Sequence, residues 1–369
     1  MHTHAVYLKP KGSLASEICS NTLFGAVCWA IQVLGLEDLG KMLPAFNEHP
    51  RFVFSSAFPY LCRDDKEKVR FFPKPLIPDL SSEQVNRLAE EEAAKGKRLS
   101  LKPAKLKVLE KAKRVKKADF VSEALFREMV LGQTNTEELC RRLVKTTGLR
   151  DRDVEQVGRA LITTAERRRI EPQRRLDPFA SEADVQRNQI DRVAGATVEG
   201  LLFHERQTFL RRNAGLWFIL RAEELDFLRP AFRYLEDTGI GGRRTTGKGH
   251  FGITLDEGTL ELPDAGAEAD SFVVLSRYLP REGDWELGAE PLSYNLINWR
   301  GKHESKFPTP ERPPIYKELV RVFAEGSFFP LKDRLEVYGQ VVPVGRVGER
   351  TVWHNGMAIP VFAKMGGGG

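Results

Sequence analysis

Residues 239–251 read Gly-Ile-Gly-Gly-Arg-Arg-Thr-Thr-Gly-Lys-Gly-His-Phe, and the elements on either side of them decide the fold. Upstream, Leu225, Leu228, Phe232 and Leu235 recur at helical spacing. That predicts a helix over 223–237, stopped at Thr238-Gly239, where glycine supplies a left-handed cap. Downstream, residues 249–255 read as a strand. Two familiar phosphate-binding patterns can be drawn over the loop, and both fail on context. Gly242 to Lys248 has the P-loop spacing, but Gly249 stands where Ser or Thr would bind magnesium. Gly247, Gly249 and Gly252 match G-x-G-x-x-G. Both patterns need a strand before the loop and a helix after it. Here the order is reversed.

The residue types in the loop still point to an anion. Five glycines in residues 239–249 let the backbone approach a ligand closely and adopt positive φ. Successive N–H groups can form a nest. Arg243, Arg244 and Lys248 add positive charge, and Thr245 and Thr246 add hydroxyls suited to phosphate. The plainer alternative is a flexible surface loop with its charges in water.

Working outward, residues 4–9 read as a strand, and Ser20-Asn21-Thr22 offers caps for a helix over 22–36 with Leu23, Val27, Ile31 and Leu34 on one face. Strand-like runs follow at Phe52–Phe54 and Val69–Phe72, the second ended by Pro73 and Pro75. From about residue 80 the chain turns polar and helical. Ser81 and Gln84 have capping-box spacing, and helices are expected near 120–131, 136–146 and 153–167. Residues 95–117 hold eleven Lys and Arg, including Lys97 and Arg98, against the single acid Glu110. Arg167-Arg168-Arg169 with Arg174-Arg175 is a second basic cluster. Such runs most often form a solvated helix face. Strands resume at 196–203 and 216–220. Between them, 205–213 suits a hairpin carrying Arg206, Phe209, Arg211 and Arg212. Phe209 reads equally as a wedge between bases or as a core residue. With 80–190 set aside, residues 1–257 give β-α-β-β-α-β, the ferredoxin-like order. Strand-like runs at 271–276, 293–299, 334–343 and 351–363 mark a second domain, and 366–369 is a glycine tail.

The whole chain has 369 residues, 41% hydrophobic and 29% charged, with net charge +6, as expected of a folded protein. Cys19, Cys28, Cys62 and Cys140 lack metal-ligand spacing, and no H-E-x-x-H or EF-hand pattern occurs, so neither metal nor cofactor is expected. The longest apolar stretch, Leu23–Leu36, is too short to span a bilayer. With no leader-like opening, a cytoplasmic setting is expected.

At this point the sequence resembles a known family. A helix leading into the glycine-rich loop and then a strand is similar to the RAMP superfamily of CRISPR proteins. Asn21–Ala30, Ser55–Tyr60, Phe72–Pro75, Ala324–Ser327 and the end at Asn355-Gly356 resemble one branch, the fourth subunit of the type III-A Csm effector complex. That family usually has aspartate where Asn21 stands, and residues 80–190 have no match in it. The resemblance implies an α+β protein with two ferredoxin-like (RRM/RAMP) domains. The first is 1–79 with 191–257, interrupted by a basic helical insertion, 80–190, and the second is 258–365. It implies a non-catalytic subunit that caps the 5′ tag of the crRNA. Such a subunit joins the Palm-domain large subunit to the backbone RAMP filament, with target RNA as a further partner and no membrane. Gly239, Gly241, Gly242, Arg243, Arg244, Thr245, Thr246, Gly247 and Lys248 would line the tag site. Ser20, Asn21 and Thr22 would offer the first helix N-terminus to a phosphate, and Arg206 and Arg211 would come from the hairpin.

The rival from the same superfamily is a metal-independent repeat endoribonuclease, typically with a histidine acting as acid–base catalyst. His250 beside the loop is the candidate, although its place at a strand start favours a structural role over a catalytic one. His2, His4, His49, His204, His303 and His354 form no cluster in the sequence. More than a hundred residues follow the loop, whereas in those nucleases it lies near the C-terminus.

Overall fold

The computed structural model describes all residues except 65–66, 96–99, 145–149, 172–177, 192, 198–199, 201, 257, 303–315 and 367–369. Lys97, Arg98, Arg174, Arg175, His303 and most of the glycine tail therefore lie outside the described residues.

The chain opens with β1 (His2–Pro10), α1 (Ser20–Leu34) and α2 (Leu39–Ala45), then β2 (Phe52–Phe54), β3 (Phe58–Arg63) and β4 (Glu67–Pro73). Next come α3 (Ser82–Lys95), α4 (Leu101–Lys116), β5 (Phe120–Ser122), α5 (Glu123–Val130), α6 (Thr136–Arg142), β6 (Val154–Val157), β7 (Ala160–Thr163) and α7 (Thr164–Ile170). The hairpin β8 (Ala180–Arg187) and β9 (Phe203–Leu210) leads to β10 (Ala214–Ala222), α8 (Leu225–Thr238) and β11 (Phe251–Leu255).

A nine-stranded mixed sheet organises these elements in the order β11-β1-β10-β3-β4-β5-β7-β6, with β2 also paired to β10. β2 and β3 are two pieces of one path along β10, joined where Ser55 N–H donates to Ile219 O at 2.9 Å. The order β1-α1-β2/β3-β10-α8-β11 follows the chain, while β4 is an added strand. β3 is not among the strands read from sequence. Its Pro59 suggests a break, yet it lies opposite Leu216 in the ladder.

Helix α1 buries Leu23, Phe24, Val27 and Ile31 at the expected spacing, and Gly35 closes it in the left-handed conformation at φ 64°. It lies against α8, whose Leu228, Ala231, Phe232 and Leu235 face the core. Trp217 of β10 is fully buried and gives its indole N–H to Phe71 O at 3.0 Å. A buried Trp thus keeps its one polar group satisfied.

The segment 80–190 differs from the helical reading. The capping box at its start is present: Ser81 N–H donates to Gln84 Oε1 at 2.8 Å and Gln84 N–H to Ser81 Oγ at 3.2 Å. The expected helix over 153–167, however, is the hairpin β6–β7 followed by the short α7. Gly158, at φ 59°, makes the turn. Through β5, β7 and β6 this segment continues the main sheet. The expected hairpin at 205–213 is likewise displaced: those residues belong mostly to β9, whose partner is β8.

The remaining strands are β12 (Ser271–Val274), β13 (Leu296–Trp299), β14 (Val320–Phe323), β15 (Phe328–Pro330), β16 (Val341–Val347), β17 (Arg350–Asn355) and β18 (Pro360–Ala363). β12 is central in the sheet β15-β12-β18, while β13–β14 and β16–β17 are two-stranded ribbons. Among its described residues this half has no α-helix, and its one helical turn is the 3-10 turn Gly266–Glu268, unlike the second ferredoxin-like unit that the resemblance implies. Its own core stacks Phe272 on Tyr338 at 3.9 Å. The two halves interlock by polar contacts: Asn47 Nδ2 donates to Val341 O at 2.9 Å, and Val341 N–H donates to Asn47 Oδ1 at 2.7 Å.

Candidate nucleic-acid interface

Two backbone bonds pinch the glycine-rich segment into a neck. Ile240 N–H donates to Gly249 O at 2.8 Å, and Gly249 N–H donates to Ser13 O at 3.0 Å. Gly249 is at φ 66°, and a Cβ there would lie 2.0 Å from Ile240 O, so only glycine closes the neck. Beyond the neck, Arg243 has the left-handed conformation at φ 57°, and Arg244–Thr246 form one tight turn held by Thr246 N–H to Arg243 O at 3.1 Å. Gly242, Arg243, Thr245, Thr246 and Gly247 are exposed, and Gly241 and Arg244 are half-buried. The tip thus presents backbone, guanidinium and hydroxyl groups to solvent, as the loop's composition implies. Gly239 and Ile240 are buried in the neck.

Lys248 departs from the expected set. It is buried, and its ammonium donates to Gln207 Oε1 at 2.6 Å and to Ser13 Oγ at 3.0 Å. Burial pulls its pKa below the usual lysine value, with Arg187 and Arg243 adding to the effect against Glu205. It pins the loop from inside and does not face a ligand. Burying an ammonium is tolerated only when such partners satisfy it.

The same knot binds the β8–β9 hairpin to the loop. Buried Glu205 pairs with Arg243 Nε at 2.8 Å and with Arg187 Nε at 3.8 Å, and it accepts from Gln207 Nε2 at 3.0 Å. Leu14 and Thr208 exchange backbone bonds at 2.8 and 2.9 Å, which fastens the hairpin to the chain after β1. Arg206 is exposed and pairs with Asp184 across the hairpin at 3.3 Å. Arg211 lies in the turn after β9, its N–H donating to Phe179 O at 3.0 Å. Phe209 is 41% exposed, not a core residue. Sequence reading misses Ser13, Arg187, Glu205 and Gln207, which carry no local signature.

The α1 N-terminus is occupied by protein. Cys19, not Ser20, Asn21 or Thr22, is the residue before the helix, and it makes no side-chain cap. Ser20 is fully buried: its N–H donates to Ser56 Oγ at 2.9 Å, and its Oγ accepts from Arg277 N–H at 3.0 Å. Ser56 in turn donates to Glu325, which pairs with Arg277 Nε at 3.0 Å. Ser20 is therefore a joint between the halves and closed to a phosphate. Asn21 and Thr22 are half-buried, and both polar side-chain atoms of Asn21 lack a partner among the described residues. The glycine loop comes near this end of the helix, since a Cβ at Gly241 would lie 4.0 Å from Ser16 Oγ.

His250, the candidate catalytic residue, is held by the loop, and two of the cysteines are buried as thiols. His250 is half-buried with Nε2 3.2 Å from Arg244 O, bonded to the loop backbone. Burial pushes the Cys19 and Cys28 thiols up to about 12, so neither is a thiolate near neutral pH. No group of His, Cys, Asp and Glu among the described residues is arranged to hold a metal ion, and no described helix is long and apolar enough to cross a membrane.

No protein-family model matches the chain. It is 28% identical over 298 residues to the CRISPR system Cms protein Csm4 of Thermococcus onnurineus, covering 77% of this chain and 81% of that one. A Mycobacterium tuberculosis protein of the same name is 30% identical over 118 residues, 32% of this chain and 38% of its own. Among solved structures, a chain of the Csm3–Csm4 subcomplex of the type III-A CRISPR-Cas interference complex matches with TM-score 0.58 at 18% identity, over 97% of this chain and 98% of that one. A chain of a Csm1–Csm4 cassette in complex with cA4 matches with TM-score 0.55 at 18% identity over the full length of both. The mixed α+β architecture is thus that of these structures, and by sequence the chain is similar to the Csm4 proteins of CRISPR systems.

Proposed function

We propose that this chain is a non-catalytic, crRNA-binding subunit of a type III-A CRISPR effector, capping the 5′ tag of the guide. It bridges a Csm1-type Palm-domain subunit to Csm3-type backbone subunits. The unit β1-α1-β2/β3-β10-α8-β11 is read as its ferredoxin-like RAMP domain. The observation that carries the reading is the exposed loop tip, Gly241–Gly247, held at a fixed angle to the β8–β9 hairpin by the Glu205–Arg243 pair. Glycine backbone, the Arg243 and Arg244 guanidiniums and the Thr245 hydroxyl suit a ribose-phosphate strand, the Thr246 hydroxyl being donated to Arg243 O, while the hairpin's exposed Phe203 and Phe209 suit a splayed base. Partners named in the homologues' structures, Csm1 and Csm3, support the assembly role.

The test is binding of tag-bearing and tag-scrambled RNA to the wild-type chain and to Arg243→Ala/Arg244→Ala. A selective loss of tag affinity of about tenfold, roughly 1.4 kcal/mol for the two substitutions together, is expected from lost guanidinium contacts to tag bases. Equal losses on both RNAs would count against tag capping. Incubation with repeat RNA in EDTA addresses the nuclease reading: cleavage that vanishes in His250→Ala would replace the binding role with a catalytic one.

A further inference from the structure

Strands β13 and β14 form a ribbon outside the larger sheets, tied at its base where Tyr278 and Phe323 exchange backbone bonds at 2.9 and 2.7 Å. Leu296 lies opposite Phe323 and Asn298 opposite Arg321. One face of the ribbon turns inward: Val322 is fully buried, and the Arg277 guanidinium sits 5.9 Å from the Trp299 ring centre. Among the described residues the other face is exposed at Leu296, Asn298 and Arg321, while Phe323 at its base is half-buried against the Tyr278 and Phe329 rings and meets the exposed Tyr294 ring edge-on at 5.1 Å. At the far end the Arg300 guanidinium lies 5.1 Å and the Lys302 ammonium 5.6 Å from the Tyr316 ring centre.

Tyr294, Leu296, Tyr316 and Leu319 are each between 43% and 56% exposed. A two-stranded ribbon is marginal by itself, so leaving one of its faces apolar and uncovered is costly unless something covers it. Tyr, Leu and Arg together make the composition of an interface centre. The charge around it is one-sided: within residues 294–302 and 316–323, Arg300, Lys302 and Arg321 stand against Glu318, while the Lys317 ammonium turns inward to Trp353 O at 3.2 Å. Nucleic acid fits this face less well. Leu296 and Leu319 offer no flat π surface to a base, and the Tyr316 ring already holds its own cations.

We infer that the outer face of the β13–β14 ribbon docks a partner protein that presents an apolar ridge flanked by carboxylates. The inference rests on the assembly role proposed above and names the surface that serves it. The test uses the full chain with purified Csm1-type and Csm3-type subunits of the same organism, measured by biolayer interferometry. Leu296→Ser/Leu319→Ser removes the apolar contacts, and Arg300→Glu/Arg321→Glu reverses the charge. These side chains are exposed, so both variants keep the wild-type melting temperature. Each variant weakens binding to one of the two subunits by roughly tenfold or more, with RNA affinity unchanged. Undiminished binding of both variants to both subunits overturns the inference alone. So does a loss of RNA affinity in its place, or a wild-type dimer that the variants dissociate. A wild-type chain that binds neither subunit overturns the assembly role and this inference with it.

Discussion

Arg277 donates its backbone N–H to the Ser20 hydroxyl at 3.0 Å, closing a contact between residues 257 positions apart. The bond is buried, so Ser20→Ala leaves an N–H without an acceptor and costs about 1–3 kcal/mol. Urea denaturation of the variant gives a lower midpoint with an unchanged slope, while RNA affinity of the folded protein stays at the wild-type value. A fall in affinity without a loss of stability would make Ser20 a ligand residue instead.

The loop's glycines divide by their surroundings. Gly249→Ala forces a methyl group against Ile240 O at a left-handed φ and opens the neck, costing about 3 kcal/mol or more. Gly242→Ala meets nothing within 4 Å and has an ordinary φ, so its stability changes by less than about 0.5 kcal/mol. Paired thermal melts separate the two. Similar losses in both would show that the neck does not hold the loop.

Burial, with the Lys317 ammonium adding to it, pushes the buried His354 imidazole down from 6.5 to about 4. The unfolded chain takes up this proton as pH drops below about 6.5, whereas the folded chain stays neutral until about pH 4. Stability is therefore lost with acidification across that window, by up to roughly 3 kcal/mol. In His354→Gln this part of the acid limb is flattened. Denaturation midpoints at neutral and mildly acidic pH measure it, and parallel pH profiles for the two proteins would refute it.

Helix α4 packs Ala104, Val108 and Val115 inward and turns Lys102, Lys107 and Lys113 to solvent, with no partner for these three among the described residues. Replacing the three by Gln leaves the melting temperature unchanged within error. It lowers affinity for tagged and scrambled RNA alike, and it makes the slope of log K against log salt shallower by about 0.7 for each phosphate that the helix no longer neutralises. A salt slope equal to wild type would leave this helix face as plain solvated surface.

Helices α1 and α8 are legible because their apolar residues recur along one stripe and a glycine ends each. The run 153–167 misleads because Val154, Val157 and Leu161 fall at spacings that suit a helix as well as two short strands. Only Gly158, at the turn, distinguishes them. Strand β8 is hidden for another reason: Ala180–Arg187 is almost wholly exposed, so no alternation of apolar and polar residues marks it. Within the site, the exposed loop tip can be read from residue types alone, since glycine, cation and hydroxyl chemistry is local. The inward turn of Lys248 cannot, because Ser13 and Gln207, which accept from it, lie 235 and 41 positions away.

Strand β4 pairs with β3 through Glu67–Arg70 and with β5 through Phe71–Pro73, so one strand joins the ladder that ends at Leu255 to the one that starts at Val154. Cutting out residues 80–190 would not unclip an accessory module. It would bare the flank of Phe71–Pro73 as a raw hydrogen-bonding edge beside apolar rings, the kind of surface that recruits foreign strands. Shortened versions of this protein are expected to precipitate unless that flank is first blocked by a charge or a proline.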